Sequence, residues 1–299
     1  MIHLLDTMPL STMIAKIKGD WLVEMIREER MTSHFQPIVR TESPGEVYAY
    51  ECLLRGLDLE GSLIAPKLMY DSARNAELLF HLDRAARLTA IREAVRLGIR
   101  ERLFINFNPS SVYDPAYCLK TTIAAIDEAG FAPDRIVFEV VESDQSGANL
   151  LRILETYRKA GFRVALDDLG AGYGSLNLLS QLRPDVAKLD IQLIRDVHLD
   201  PYQANITAHL LEMAHKLGIE TVAEGIESAE EFEWFRDHGA TYIQGYYIAR
   251  PASPPPRPRQ LIDPPKYLHR VRSATQSSES CQSEDSGSSF ASHGPRPGH

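Results

Sequence analysis

The sequence predicts an α/β fold, a TIM-like (β/α)8 barrel whose first strand runs antiparallel to the rest. Three observations predict it. Eight short apolar runs of strand character recur between residues 35 and 244. Helix-like stretches separate most of them, and several of these stop at a glycine. Finally, the first two runs, ending at Val39 and starting at Val47, are joined only by Arg40 to Glu46, which includes Pro44 and Gly45. That link is too short for the crossover helix a parallel pair needs, so those two strands pair antiparallel. A doubly wound open sheet is the competing arrangement for the same alternation.

Taken in order, residues 1–30 read as an N-terminal helical extension. Met13, Ile14, Ile17, Trp21, Leu22, Met25 and Ile26 fall at near-helical intervals between Leu10 and Met31. The expected strands are Phe35 to Val39, Val47 to Leu54, Leu103 to Asn108, Ile136 to Val141, Arg163 to Asp168, Val186 to Asp190, Glu220 to Glu224 and Tyr242 to Gln244. Expected helices cover Asp83 to Leu97, Pro115 to Ala129, Leu150 to Ala160, Tyr202 to Leu217 and Ala229 to His238. Gly98, Gly130, Gly161, Gly218 and Gly239 stand where helices commonly end in a left-handed residue. The barrel is therefore expected over residues 31–251. Beyond it, Pro251 to His299 holds nine of the eighteen prolines and ten serines, so 252–299 reads as a Pro/Ser-rich disordered tail.

Composition narrows the function classes. With 41 acidic against 32 basic residues, net −9, the chain lacks the basic face that supplies most of the affinity for duplex nucleic acid. A small phosphorylated ligand is still compatible, because bound metal ions can supply local positive charge. Cys52, Cys118 and Cys281 are odd in number and widely spaced, which points to neither a disulfide framework nor a zinc knuckle, and so to a reducing, cytoplasmic location. No apolar run reaches spanning length, so no membrane insertion is expected.

The chemistry lies at the strand ends. Asn106, Glu139, Asp167, Asp168, Lys188 and Glu224 fall at or near the C-terminal ends of five successive expected parallel strands, and Glu51 on the second strand can face the same rim. A barrel interior is normally filled by Val, Ile and Leu, so this many carboxylates would repel one another unless cations compensate them. Carboxylate and amide oxygens without a neighbouring cysteine or histidine favour a hard ion, Mg2+ or Mn2+. Two ions fit if one of Asp167 and Asp168 bridges them while the other serves only the second, which requires the chain to twist at the strand end because adjacent residues start on opposite faces. Such centres hold ions about 4 Å apart for in-line attack of water on a phosphodiester. Lys188 is placed to orient that water or offset phosphate charge. Gly170, Gly172 and Gly174 make the following loop able to fold over the site, with Ser175 as an expected helix cap.

These residues stand in an ordered series of motifs. Gln36-Pro37-Ile38, Glu51-Cys52-Leu53-Leu54-Arg55, Asn106-Phe107-Asn108-Pro109, Glu139-Val140-Val141-Glu142, Asp167-Asp168-Leu169-Gly170-Ala171-Gly172-Tyr173, Lys188-Leu189-Asp190, Ala223-Glu224-Gly225-Ile226-Glu227 and Gln244-Gly245-Tyr246 follow one another over about residues 31 to 251. The series resembles the EAL-domain cyclic di-GMP phosphodiesterases. That resemblance implies that Glu51, Asn106, Glu139 and Asp167 hold one metal, and Asp167, Asp168 and Glu224 the second. It implies that Lys188 contacts the attacking water, and gives Glu224 a general-base role where one metal is assumed. Glu142 would anchor the mobile loop, Gln36, Arg55 and Gln244 would face substrate, and Glu227 would support the site. The implied reaction opens one phosphodiester bond of the bacterial second messenger cyclic di-GMP, giving linear pGpG. Ca2+, which prefers looser and higher coordination, is expected to inhibit.

The chain departs from the family pattern in four places. Cys52 replaces the namesake alanine, Asn108 a frequent serine, Val141 a frequent threonine and Leu169 a frequent phenylalanine. None of these is a carried-over ligand, although Asn106 is preferred to Asn108 on the motif alone, since both share one strand face. The resemblance also implies a homodimer through the barrel. The helical extension and the tail are the extra parts through which a regulatory protein partner would act. The alternative is a catalytically silent cyclic di-GMP receptor or protein-interaction module of the same fold.

Overall fold

The computed structural model describes residues 10–108, 115–140, 148–171 and 175–258. Glu142, Gly172, and the tail from residue 259 onward lie outside the described residues. The chain begins with α1 (Leu10–Arg27), then forms an antiparallel hairpin of β1 (Met31–Arg40) and β2 (Val47–Leu57). After this come β3 (Leu63–Ile64), α2 (Pro66–Asn75), α3 (Leu79–Arg96), β4 (Arg102–Asn106), α4 (Pro115–Ala129), β5 (Ile136–Val140), α5 (Ala148–Lys159), β6 (Arg163–Leu169) and α6 (Ser175–Leu182). The series ends with β7 (Val186–Leu189), α7 (Ile191–Ile194), α8 (Pro201–Lys216), β8 (Glu220–Ala223), α9 (Ala229–Asp237) and β9 (Tyr242–Ile243).

The strands β1-β9-β8-β7-β6-β5-β4-β2 follow one another around the sheet, and the β1–β2 pairing closes it into an eight-stranded barrel. β1 is antiparallel to both neighbours, and the other successive pairs are parallel, as the short Arg40–Glu46 link requires. β1 and β2 are longer than the expected runs because they pair with each other from Met31↔Gly56 to Val39↔Val47. β3, a short strand on the end of β2, has too few residues for a sequence period to reveal it. The five glycines expected to end helices all take a left-handed backbone.

Strand alternation divides the side chains into two sets. Outward-facing residues such as Phe138, Val164 and Leu166 join a core under the helices that includes Ile91, Leu154 and Tyr157. The inward set has a different use. Ile38, Ala49, Phe104, Val137, Ala165, Val186, Val222 and Tyr242, one from each barrel strand, form a single apolar layer with Tyr48 across the barrel. Leu22 and Met25 of α1 are fully buried against Met31, Leu54 and Met69, so the helical extension packs on the hairpin side of the barrel.

Candidate metal centre

Two residues beyond that apolar layer, strand alternation brings the next inward-facing side chain of every barrel strand to the rim at which the parallel strands end. On the seven parallel strands these are Glu51, Asn106, Glu139, Asp167, Lys188, Glu224 and Gln244. On β1, which runs the other way, the step is backwards and the residue is Gln36. All eight positions are polar. One layer of the barrel thus holds eight of the expected site residues, Gln36 and Gln244 among them, which the sequence alone does not place in that layer.

Lys188 lies at the centre. It is 1% exposed, and its Nζ stands 2.5 Å from Glu139 Oε1, 2.6 Å from Glu224 Oε1, 3.1 Å from Asp167 Oδ1 and 3.9 Å from Glu51 Oε1. Burial works against the ammonium, but Asp167, Glu139, Glu224 and Glu51 together outweigh it and hold its pKa well above the usual lysine value. Glu139 and Glu224 move upward, chiefly because they are buried, with Lys188 opposing and the neighbouring carboxylates reinforcing the shift. One ammonium facing four carboxylates leaves an excess of negative charge.

Asp168 joins this group through a backbone irregularity. The β6–β7 register slips between Leu166 and Leu169, and Asp168 takes a left-handed backbone at φ 54°. That conformation costs an L-residue about 1–2 kcal/mol and is best tolerated by Asp and Asn. The slip turns the Asp168 carboxylate toward its neighbour's side, so that Asp167, Asp168 and Glu224 offer oxygens within 4.8 Å of one another. The Asp168 amide donates to Asp167 Oδ1 at 3.1 Å. The Asp168 pKa is raised by burial first and then by Asp167.

The donors fit a hard divalent cation. They are carboxylate oxygens, with the Asn106 amide beside Glu139 as its strand partner, and Glu139 Oε2 is buried without a hydrogen-bond partner among the described residues. A cavity of about 360 Å3 opens over Glu51, Asp167, Asp168, Lys188, Glu224 and Gln244, bordered by Ile191, Glu227 and Tyr246. That volume falls within the range of small-molecule sites.

The remaining expected residues surround this floor. Gln244 Nε2 donates to Glu51 Oε2 at 2.5 Å and to Gln36 Oε1 at 3.1 Å, while Gln36 Nε2 donates to the Ala249 carbonyl at 3.3 Å. The two glutamines therefore fix Glu51 as well as line the cavity. Arg55 is on the same strand face as Glu51 but further out, and it donates to the Leu54 carbonyl at 2.8 Å rather than bordering the cavity. Asn106 borders a different cavity, also of about 360 Å3, together with Asn108 and Asp83, and none of its lining residues borders the first. The Asn108 amide donates to Asp83 Oδ1 on α3 at 3.1 Å, so the chain is already leaving the barrel at that residue. Gly170, at φ 108°, packs so closely on α7 that an added Cβ would stand 2.4 Å from Leu193 Cδ1.

Glu231 is a supporting residue beyond the expected set. It is 1% exposed, and its carboxylate accepts the amides of Glu227 (2.8 Å), Ser228 (3.2 Å) and Asp196 (3.2 Å). Ser228 Oγ in turn accepts from the Glu231 backbone amide, closing a capping box at the start of α9. The loop carrying Glu224 and Glu227 is thereby tied to the loop after α7, and Glu227 pairs with Arg195 at 3.0 Å. The sequence signal was the Ser228-x-x-Glu231 spacing.

A family model described as EAL domain matches residues 20–251. The chain belongs to the EAL domain family. Among curated relatives of this EAL protein, cyclic di-GMP phosphodiesterase PdeR of Escherichia coli K12 is 28% identical over 235 residues, covering 77% of this chain and 35% of PdeR. Cyclic di-GMP phosphodiesterase NbdA of Pseudomonas aeruginosa is 29% identical, covering 77% of this chain and 30% of NbdA. The EAL chain thus spans about a third of the length of these relatives. Among solved structures, a standalone EAL protein from Vibrio cholerae O395 in its c-di-GMP bound form is 36% identical at TM-score 0.67, covering 74% of this chain and 92% of that one. Klebsiella pneumoniae BlrP1, in a complex with manganese and cyclic di-GMP, is 31% identical at TM-score 0.68, covering 75% and 56%. A calcium and cyclic di-GMP complex of BlrP1 matches at 30% identity. Among the described residues of this EAL protein, no helix is long and apolar enough to cross a membrane.

Proposed function

We propose that this EAL protein is a divalent-metal-dependent phosphodiesterase that opens cyclic di-GMP to linear pGpG by in-line attack of water at a two-metal site. The observation that carries this reading is the polar layer with a side chain from every barrel strand, in which Asp167, Asp168 and Glu224 converge within 4.8 Å. Glu51, Asn106, Glu139 and Asp167 would hold one ion, and Asp167, Asp168 and Glu224 the other, with Mg2+ or Mn2+ fitting the oxygen donors. When bound, the ions would supply Lewis-acid stabilisation of the phosphate oxygens and of the attacking water.

The chain's own groups do the rest. Gln244 and Gln36 hold the Glu51 carboxylate in place through their hydrogen bonds. Lys188 keeps a protonated ammonium on the cavity floor, where it can hold the attacking water and offset phosphate charge. Glu224 is the carboxylate beside Lys188 best placed to take a proton from that water, because Glu231 fixes the loop that follows it. Arg55 and the cavity-lining glutamines are assigned to the substrate side, Glu142 to anchoring the loop after Asp168, and Glu227, Gly170 and Gly172 to supporting the site. Residues 31–251 are the catalytic unit in this reading, flanked by the helical extension 1–30 and the tail 252–299. Cytoplasmic location, a homodimer through the barrel and control by a protein partner belong to the same proposal.

The test is turnover of cyclic di-GMP by purified protein, with the product resolved by chromatography. pGpG is expected with Mg2+ or Mn2+, inhibition with Ca2+, and near-complete loss in Glu51→Ala. Tight binding of cyclic di-GMP without pGpG under any divalent ion would instead make the protein a receptor.

A further inference from the structure

We propose that Lys188 is the internal counter-ion of the metal-free barrel, holding the carboxylate layer together until divalent ions take over the same carboxylates. The inference rests on the metal-dependent reading above and concerns what the chain does before it is loaded. Lys188 projects from β7, and its Nζ lies within 4 Å of carboxylates from four different strands: Glu51 on β2, Glu139 on β5, Asp167 on β6 and Glu224 just past β8. A side chain needed only to touch a water at the cavity floor could reach it with one or two such contacts. Here the ammonium is 1% exposed and Glu139 is wholly buried, so each relies mainly on its protein partners. Without Lys188, carboxylates from β2, β5, β6 and the end of β8 would share one largely buried site with no cation among them. Mutual repulsion would then oppose closure of the barrel.

The geometry also sets up competition. Each carboxylate oxygen that turns its charge to an ion has less to give the ammonium, and the reverse is equally true, so Lys188 and the ions are linked with negative coupling. This gives the lysine a positioning role toward the metal ligands. The coupling has two measurable consequences. Removing the ammonium should lower the stability of the metal-free protein, and it should raise the affinity for metal, because a competing cation is gone.

The experiment compares wild type, Lys188→Met and the double variant Glu139→Gln/Lys188→Met. Melting is recorded in chelator and in Mn2+, together with calorimetric titration of Mn2+. In chelator, Lys188→Met should melt about 10 °C below wild type, as expected for a buried ion network that loses one partner. The double variant, with one fewer buried carboxylate, should recover part of that loss. Mn2+ should bind Lys188→Met roughly tenfold more tightly than wild type and raise its melting temperature by the larger amount. If Lys188→Met does not fold in chelator but folds when Mn2+ is present, the proposal is supported. Equal melting of wild type and Lys188→Met in chelator would overturn the counter-ion role, as would variants that neither Mn2+ nor the second substitution restores. Absence of Mn2+ binding to wild type would instead overturn the metal reading, while the chelator comparison would still decide the role of Lys188.

Discussion

The two ends of the barrel interior share one construction and differ in outcome. Both lie two residues from the same apolar layer. At the end where the parallel strands begin, that step reaches Arg40, Arg102, Arg163 and Glu220, of which Arg40 is exposed. Of these, Arg163 and Glu220 are matched to each other, whereas Arg40 and Arg102 rest on aromatic rings and Arg102 Nε is buried without a hydrogen-bond partner among the described residues. Arg163 pairs with Glu220 at 2.5 Å and donates to the Tyr48 hydroxyl at 2.7 Å, and the Tyr242 hydroxyl donates to Glu220 at 2.9 Å. The Tyr48 and Tyr242 rings stack at 3.9 Å, and the Arg40 and Arg102 guanidinium groups lie over them. At the other end a single ammonium faces four carboxylates, Asp168 adds a fifth, and Glu139 Oε2 has no hydrogen-bond partner among the described residues. The Arg163–Glu220 pair is completed from within the chain. The carboxylates around Lys188 outnumber the one ammonium among them, a deficit that divalent ions would fill.

Substitutions at the two ends should therefore fail in opposite ways. Asp167→Asn should reduce pGpG formation by about a thousandfold or more, since Asp167 is assigned to both ions. Its metal-free melting temperature should stay level or rise, because a repelling charge has gone; a large drop in melting would break the contrast. Glu231→Ala should cost about 1–3 kcal/mol in urea denaturation, because three backbone amides lose their acceptor. It should also lower kcat more than it raises KM, since the loop it holds carries Glu224. Arg163→Met at the opposite end should cost about 1 kcal/mol, the pair with Glu220 being partly solvent-screened, and leave turnover at wild-type level. A loss of turnover there would mean that the two ends are coupled through the apolar layer. Cys52→Ala should change least. The thiol is buried on the outer strand face, away from the carboxylates, so activity should be retained and stability should fall by about 1 kcal/mol or less.

Much of this arrangement can be read from the sequence because period-two alternation is a local property. Once Asp167, Lys188 and Glu224 are recognised as polar residues closing apolar runs, the barrel brings them to one rim. The antiparallel first strand follows from the length of the Arg40–Glu46 link. Other features depend on contacts between distant parts of the chain. The left-handed backbone at Asp168 appears only with the slipped β6–β7 register, and sequence alternation alone would send Asp167 and Asp168 to opposite faces. The convergence of four carboxylates on Lys188, the glutamine pair that holds Glu51, and the arginine–tyrosine network at the far end all join residues separated by tens to hundreds of positions. Glu231 is intermediate, because its capping box is a local motif whereas its bond to the Asp196 amide is not.

In the proposed mechanism the carboxylate layer is incomplete until divalent ions enter it. Calorimetric titration of Mn2+ into metal-free protein, in parallel with Asp167→Asn, tests it most directly. Saturable binding of two ions per chain to wild type, lost or reduced to one in Asp167→Asn, is the result expected. Absence of binding, or binding that Asp167→Asn leaves unchanged, would contradict the account.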